Sequence, residues 1–254
     1  MSEKYYTGVG SRKTPLYVLY LMAQFANILE KKGYKLRSGA ASGADCAFEA
    51  GIENDSNCDI YVPWFNFPKK FNKDPTLPRY KVPEKISKEK FFEANILIDQ
   101  NNLHPAWKNN LPDWVRKLHN RNVFQVLGDT LNQHSKKTKA KFVLCYTSDG
   151  VKKHKYTTKA TGGTGTAIRV GDTFNVPVFN MGNYDDFLRI EKFIEDNNHL
   201  INHKFLSNQR IYSDFNPNNK TITELDFEIC NSRIDLMNKF NQRKDLKKRR
   251  KNRM

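Results

Sequence analysis

The sequence predicts an α/β fold in which a doubly wound, mostly parallel sheet is followed by a basic, helical C-terminal extension. Short apolar segments alternate with longer segments of helical period across residues 1–203. The short segments are continuously apolar, which is typical of parallel strands that helices cover on both faces. From residue 204 to 254 an Asn-rich stretch leads to a helical segment and a run of cations. We therefore predict a domain over 1–203 and an extension over 204–254.

The predicted elements alternate between strand and helix along the domain. The first helix candidate has a broad apolar face, with Pro15 in its first turn and Gly33 at its end, and both positions are favourable. Residues 66–82 are rich in Pro, Lys and Asn and are predicted to form an irregular loop. The strand candidates are KYYTGV, YKLRSG, CDIYVPW, KFVLCYT and VPVFNMG. The helix candidates are PLYVLYLMAQFANILEKKGY, GADCAFEAG, KISKEKFFEANILIDQ, LPDWVRKLHNRNVFQVLGDTL, TGGTGTAIRVG and YDDFLRIEKFIEDNNHL.

The composition argues against several classes of protein. No apolar run approaches the roughly 18 residues of a membrane span, and the N-terminus lacks the pattern of a secretory signal. We therefore expect a soluble, cytoplasmic protein without a membrane partner. The four cysteines form no C-x-x-C pair and the six histidines form no H-E-x-x-H motif. The sequence accordingly predicts neither a metal site nor a cofactor.

Positive charge is concentrated at the C-terminus. The chain has a formal net charge of +16, and residues 239–254 hold nine Lys or Arg and one Asp. The rest of the chain is also basic, which favours a polyanionic partner. We expect the tail to contact nucleic acid without sequence specificity, and its end to be disordered until an anion binds it.

Three glycine-rich corners follow predicted strands and precede predicted helices. They are YTGVGSRKTP (residues 6–15), LRSGAASGAD (residues 36–45) and TGGTGTAI (residues 161–168), named here the first, second and third corners. Glycines let backbone N–H groups approach a ligand closely, and N–H groups at a helix N-terminus bind phosphate well. Arg12 and Arg37 add positive charge. One such corner can be a simple tight turn, but three in equivalent places predict a single cradle for anionic oxygen atoms.

The corners do not match the common nucleotide-binding motifs. None has the G-x-x-x-x-G-K-[ST] pattern, which argues against a P-loop nucleotide hydrolase. Lys13 stands where the third glycine of G-x-G-x-x-G would fall, which disfavours ordinary dinucleotide redox binding.

Several motifs, in order along the chain, resemble the DNA-processing protein A (DprA/Smf) type of the SLOG superfamily of Rossmann-like domains, in the version often encoded by bacteriophages. They are GVGSRKTP, SGAASGADCAFEAG, HPAWKNNLPDWVRKLHNRNVFQVLG, FVLCYTSDG and GGTGTAIRVG with VPVFNMG. The resemblance covers about residues 4–182 and leaves out the extension. It implies a Rossmann-like fold in the cytoplasm of a bacterium or an infected host. It also implies contact with single-stranded DNA, loading of a RecA-type recombinase, and pairing into a homodimer.

The resemblance also implies which residues line one pocket. From it come Gly10, Ser11, Arg12, Ser38, Gly39, Gly43, Asp45, Gly162, Gly163, Gly165 and Thr166. The corner pattern adds the phosphate, nucleotide or DNA-binding candidates Gly8, Arg37, Ser42 and Thr164.

Two positions depart from the family pattern. Glu49 stands where DprA proteins have the histidine of Asp-x-x-Ala-His, and Arg169 stands where LOG-type phosphoribohydrolases have the catalytic glutamate of G-G-x-G-T-x-x-E. A guanidinium would repel the sugar cation that this glutamate stabilises. N-glycosidic hydrolysis is therefore disfavoured, unless Asp45 or Glu49 supplies the missing acid.

Two functions stay open at this point, beside the plainer alternative of a scaffold that keeps its basic tail and has lost its ligand. The first is a non-enzymatic recombination mediator that binds single-stranded DNA, with Trp64, Phe65 and Phe67 either stacking on bases or packing in the core. The second is a protein that senses, sequesters or hydrolyses a nucleoside phosphate or an ADP-ribose-like signal. The arginine at 169 and the basic composition favour the first.

Overall fold

A six-stranded parallel sheet forms the centre of the fold in the computed structural model, which describes residues 3–206 and 222–251. The strands are β1 (Lys4–Gly10), β2 (Tyr34–Ser38), β3 (Cys58–Tyr61), β4 (Tyr80–Lys81), β5 (Val143–Tyr146) and β6 (Val178–Asn180). They lie in the order β4-β3-β2-β1-β5-β6, and every pairing is parallel. The predicted doubly wound α/β fold is confirmed, and the sheet is parallel throughout.

The direction in which strands are added reverses beside β1. From β1 the chain adds β2, β3 and β4 on one side, then returns to place β5 and β6 on the other. Gly10 at the end of β1 pairs with Tyr146 at the end of β5. Sheets of this kind bind ligands at the carboxyl ends of their strands, where the order reverses. We call this edge of the molecule the switch-point edge.

Helices cover both faces of the sheet. They are α1 (Leu16–Lys31), α2 (Ala44–Ala50), α3 (Pro83–Ile86), α4 (Lys88–Gln100), α5 (Asp113–Leu127), α6 (Thr164–Thr173), α7 (Tyr184–Asp196), α8 (His203–Leu206) and α9 (Ile222–Lys251). One buried apolar cluster joins α1, α2, α7 and α9 on one face, and the other joins α4, α5 and α6. Within residues 3–206 and 222–251, no helix combines the length and the apolar character that crossing a membrane would require.

Strand β4 lies inside the region that we predicted to be an irregular loop. It pairs in parallel with Ile60 and Tyr61 of β3. A strand of two residues has no periodicity to detect, and the surrounding prolines and polar residues indicate a loop. The prediction for residues 66–82 was therefore wrong at this strand.

The C-terminal helix packs against the domain. Ile229, Leu236 and Phe240 of α9 are at most 5% exposed and join the core cluster on the side of α1 and α7. The helix continues through the basic segment as far as Lys251, because Leu, Lys and Arg are good helix formers. The end of the tail, for which we expect disorder, lies outside the described residues. The predicted Asn-rich stretch falls largely on residues 207–221, which lie outside the described residues.

Candidate functional site

The first and second corners are in direct backbone contact. The Ala44 N–H donates to the Ser11 carbonyl at 3.4 Å. Gly43 has a φ of 84°, and a Cβ there would lie 2.7 Å from the Ser11 oxygen and 2.8 Å from the Arg12 Cα. A Cβ on Gly10 would lie 2.6 Å from that of Ala44. Glycine is required at both positions because one corner packs directly on the other.

The Asp45 carboxylate joins these two corners from inside. It accepts hydrogen bonds from the Gly10 N–H at 3.2 Å and the Ala41 N–H at 3.3 Å, and its side chain is buried. Burial raises the pKa of Asp45 to about 6, against the opposing effect of the Arg121 guanidinium. Asp45 therefore occupies the place that a ligand anion would take at these two donors, and its role here is structural.

Helix α5 connects the second corner to the third. Arg121 Nη1 donates to the Gly39 carbonyl, and its Nη2 lies 3.7 Å from an Asp45 oxygen. The next residue, Asn122, donates from Nδ2 to the Gly163 carbonyl at 3.2 Å. Because adjacent residues of one helix hold both corners, Gly39 and Gly163 lie at the same edge of the sheet.

The third corner is open to solvent. Gly162 has a φ of 68°, and a Cβ on either Gly162 or Gly163 would meet no atom within 4 Å. Helix α6 begins at Thr164, and the Gly163 and Thr164 N–H groups donate to no acceptor in the described part of the chain. The corner is held in place by Thr161, whose hydroxyl donates to Asp149 Oδ2 at 2.5 Å. It therefore presents free N–H donors at the positive end of a helix, as a phosphate site does.

The corners lie together at the switch-point edge, and Arg12 is the one unpaired cation among the predicted residues of the described chain. Direct contacts join the predicted residues Gly10, Ser11, Arg12, Gly43 and Asp45, and helix α5 connects Gly39 with Gly163 and Thr166. The predicted residues Ser42, Gly162, Thr164 and Gly165 adjoin these in the chain. Arg12 and its neighbour Lys13 are exposed, and neither side chain pairs with a carboxylate within residues 3–206 and 222–251. These two cations therefore keep their full charge at the first corner.

Three predicted ligands are structural instead. Arg37 is 4% exposed, donates to the Thr138 carbonyl at 2.6 Å and stacks over the Tyr5 ring, so the prediction that it binds an anion is wrong. Ser38 is fully buried and donates to the Gly8 carbonyl at 2.7 Å. A Cβ on Gly8 would lie 2.6 Å from the Phe48 ring, so this glycine makes room for the core. Successive side chains of a strand point to opposite faces of the sheet. Residues within these buried strands therefore face the covering helices rather than the strand ends.

Glu49 also has an internal role. Its Oε1 accepts from the Tyr80 hydroxyl at 2.5 Å and lies 3.2 Å from Arg79 Nη2, and its Oε2 lies 3.0 Å from Lys73 Nζ. The side chain is 2% exposed. Its charge is therefore balanced by two cations and a hydroxyl, and its candidacy as a catalytic acid is withdrawn.

A pair of imidazoles lies against the first turn of α6, and the sequence analysis missed it. The His104 and His119 rings are 4.1 Å apart, and His119 Nδ1 is 2.9 Å from the Thr166 hydroxyl oxygen. Burial lowers the pKa of His119 to about 3, helped by His104 and by the guanidinium groups of Arg121 and Arg169. Burial also lowers the pKa of His104. Both rings are therefore neutral at pH 7.

The guanidinium of Arg169 lies beside this pair. Its Nη1 donates to the Leu103 carbonyl at 3.3 Å and would be 3.4 Å from a Cβ on Gly165. The side chain is 5% exposed and pairs with no carboxylate among the described residues. The third corner thus combines open N–H donors with a positive charge that has no acidic partner.

The aromatic loop that follows β3 divides into a packed and an exposed part. Phe67 lies against Arg121, with the guanidinium 5.1 Å from the ring centroid. Trp64 and Phe65 are 38% and 43% exposed and line a groove of about 730 Å³. The same groove is lined by Lys85, Lys88 and Lys117 and by Glu84 and Glu89, and Lys117 pairs with Glu84 at 2.9 Å. Phe67 is therefore packed against the core, whereas Trp64 and Phe65 are partly exposed, with the Lys85 ammonium 5.2 Å from the Phe65 ring centroid and Phe67 against Trp64.

Compared with known proteins, the chain matches no family model, no curated protein and no solved structure at a significant level. The resemblance to DprA proteins therefore stays a prediction that rests on the motifs themselves.

Proposed function

We propose that this protein binds single-stranded DNA at the switch-point edge and acts as a DprA-like recombination mediator, with a RecA-type recombinase as its partner. The observation that carries the proposal is the charge balance of this edge. Asp45 and Glu49 are neutralised inside the protein, whereas Arg12, Lys13 and Arg169 have no carboxylate partner in the described residues. These three cations attract anions, and neither of the two candidate acids is free for hydrolysis.

Backbone phosphates are expected to bind at the third corner. The Gly163 and Thr164 N–H groups are free, and the dipole of α6 adds positive potential at its N-terminus. Glycine at 162 and 163 leaves the approach open. Such a site binds phosphate without regard to the base, which suits a strand of any sequence.

Bases are expected to stack on the exposed aromatic side chains. Trp64 and Phe65 stand in a groove that Lys85 and Lys88 also line, and aromatic rings beside cations are the combination that single-strand sites use. Tyr156, 59% exposed, lies ahead of the third corner with the Lys155 ammonium 4.8 Å from its ring centroid. No motif marks Tyr156 in the sequence, because it stands in a polar loop.

The test uses a substitution that removes one N–H donor. Gly163 has a φ of −62°, which proline adopts, and a side chain there meets no atom within 4 Å. We expect Gly163→Pro to weaken binding of a fluorescent oligothymidylate by about tenfold, near the value of one charge-assisted hydrogen bond. Gly163→Ala keeps the donor and is the matched control. Equal affinity of the two variants would reject the phosphate site.

A second candidate function is binding of a nucleoside phosphate, and the open third corner with its neutral imidazole pair favours it. The same N–H donors suit a terminal phosphate of a small ligand. Thermal-shift measurements with nucleoside phosphates at millimolar concentration decide between the two. Stabilisation by a mononucleotide that Gly163→Pro abolishes would favour this second function, and its absence would leave the DNA strand as the ligand.

A further inference from the structure

The C-terminal helix reaches the switch-point edge. Arg243 of α9 donates from Nη2 to the Ser148 carbonyl and from Nη1 to the Gly182 carbonyl at 3.3 Å. Ser148 follows β5 and Gly182 follows β6, so both acceptors lie just beyond the carboxyl ends of strands. The basic part of α9 therefore begins at the edge where the glycine corners meet.

The loop at residues 147–150 connects this helix to two of the corners. The Ser11 N–H donates to the Tyr146 carbonyl at 3.1 Å, immediately before the loop. Asp149, inside the loop, accepts from the Thr161 hydroxyl at 2.5 Å. Arg243 contacts Ser148, which lies within two residues of both attachments. One short loop therefore holds the first corner, the third corner and the start of the basic helix.

Helix α9 is anchored to the domain at Phe240 and Lys244. Phe240 is 3% exposed, and its ring lies 5.4 Å from that of Tyr184 and 5.5 Å from that of Phe187. The Lys244 ammonium lies 3.5 Å from the centroid of the Tyr184 ring. Aromatic pairs and cation–π contacts of this kind fix the direction in which the helix leaves the domain.

The segment that leaves the anchor is strongly cationic. From Arg243 to Lys251 the sequence RKDLKKRRK holds seven Lys or Arg and one Asp. The helix is described as far as Lys251, which is about 12 Å beyond Arg243 at the rise of an α-helix. Arg243 contacts carbonyl oxygens and no carboxylate in the described residues, so its charge is not cancelled.

We propose that residues 243–251 and the glycine corners form one continuous binding site, along which a single strand of DNA contacts both parts at once. This inference rests on the proposed function. It adds residues 243–251 to the site, which lie outside the region that resembles DprA proteins. A strand held at the third corner passes the loop at 147–150 and meets the basic helix next. The second contact is then intramolecular, which raises affinity without any new contact at the corners.

The experiment compares the wild type, two single variants and the protein that combines both changes. One is Gly163→Pro, which removes a donor at the corner, and the other is a truncation after Lys244, which removes six cations and keeps the anchor. Affinity, stoichiometry and salt dependence are measured with oligothymidylates of about 4 to 16 nucleotides, the range over which single-strand sites vary. We expect one strand per protein, and both variants should weaken that same binding event. Truncation should reduce the slope of log K against log salt by up to about 4, at ~0.7 for each phosphate that the tail no longer neutralises.

The outcomes separate this inference from the proposed function. In one outcome, Gly163→Pro weakens DNA binding, whereas truncation changes neither the affinity nor the salt slope for oligothymidylates of any length. This outcome rejects the continuous site and leaves the corner site standing. If truncation weakens binding and Gly163→Pro does not, the corner site fails, and the continuous site fails with it.

A comparison of the wild type with Arg243→Lys tests whether the position of the Arg243 charge matters. Arg243→Lys keeps the charge but cannot bridge two carbonyls with a planar fork. We expect it to lower affinity for the longer strands and not for the shortest. Lys239→Ala removes one exposed cation of α9 ahead of the site and is the control. An Arg243→Lys protein that binds long strands like the wild type would show that position is irrelevant, which contradicts the proposal.

Discussion

The Ser11 N–H donates to the Tyr146 carbonyl at 3.1 Å, so the first glycine corner is joined to the end of β5 across the point where the strand order reverses. This bond places the exposed side chains of Arg12 and Lys13 at the centre of the carboxyl edge. Ligands of doubly wound sheets bind at this place because loops diverge there and leave a crevice.

Asp45→Asn should destabilise the protein and weaken DNA binding. The amide cannot accept from both the Gly10 and the Ala41 N–H, so a buried donor loses its partner, at a cost of about 1–3 kcal/mol. Burial favours the protonated form of Asp45 in the folded protein and raises its pKa from the ordinary value of 3.8 to about 6. The contribution of this carboxyl to stability is therefore fully present below pH 3.8 and is lost as the pH rises through 6. The deficit of the variant in urea unfolding should therefore grow from pH 7 to pH 4. Glu195→Gln, at an exposed site, is the control, and an unchanged deficit would contradict the raised pKa.

Gly43→Ala tests the contact between the first and second corners. The added Cβ would lie 2.7 Å from the Ser11 oxygen at a φ of 84°, so we expect a loss of about 1–3 kcal/mol in the free energy of unfolding, with weaker DNA binding. Gly33→Ala, at a φ of 75° with nothing within 4 Å, is the comparison at a positive φ without a steric contact. If both variants lose the same stability, the corners are not packed as described.

His119→Gln should reduce the acid sensitivity of the fold. The folded pKa of His119 is lowered to about 3, so its contribution to stability is present above about 6.5 and is lost as the pH falls toward 3. The wild type should lose more stability than the variant between pH 7 and pH 5. Equilibrium urea unfolding at the two pH values measures this, with His199→Gln at an exposed position as control. Parallel losses in wild type and variant would place the acid sensitivity elsewhere.

Phe240→Ala tests whether α9 is part of the folded core. Its ring is 3% exposed, and truncating it should cost about 3–5 kcal/mol. Limited proteolysis should then cut α9 faster than in the wild type. Ile234 of the same helix is 57% exposed, and Ile234→Ala should change stability by no more than about 0.5 kcal/mol. Equal protease resistance of Phe240→Ala and wild type would contradict the docking.

Trp64→Ala and Phe65→Ala test the stacking groove. Each should weaken binding of single-stranded DNA by about 1–3 kcal/mol, the value of one base stacked on an aromatic ring. Phe92→Ala is the matched control, since this ring is 63% exposed on α4 and does not line the groove. Fluorescence anisotropy with one oligothymidylate compares all three. A loss confined to Phe92→Ala would move the stacking surface to α4.

The fold and the corners could be predicted because they depend on local signals. Continuous apolar runs indicate buried parallel strands, and glycines at strand ends are needed where Gly10 and Gly43 pack on neighbouring backbone. The role of Arg37 could not be predicted in this way. Whether a strand residue faces a helix or a strand end depends on register, and its partner Thr138 is 101 residues away.

The polar face of α5 was missed for a related reason. His119, Arg121 and Asn122 each contact a corner that lies far from them in sequence. A sequence signal did exist, because HNRNVFQ interrupts the apolar face of a buried helix with polar residues. Buried polar groups of this kind need partners, and here the corners provide them.

The docking of α9 on α1 sets the order of events during synthesis. The Tyr17 N–H donates to the Ser232 hydroxyl oxygen across 215 residues of chain, so α1 is made long before the helix that covers it. Until α9 emerges from the ribosome, the apolar strip that receives Leu236 and Phe240 stays uncovered on a nascent chain. Contacts this distant slow the final step of folding. A growing chain with such a strip exposed is a substrate for chaperones until α9 has closed over it.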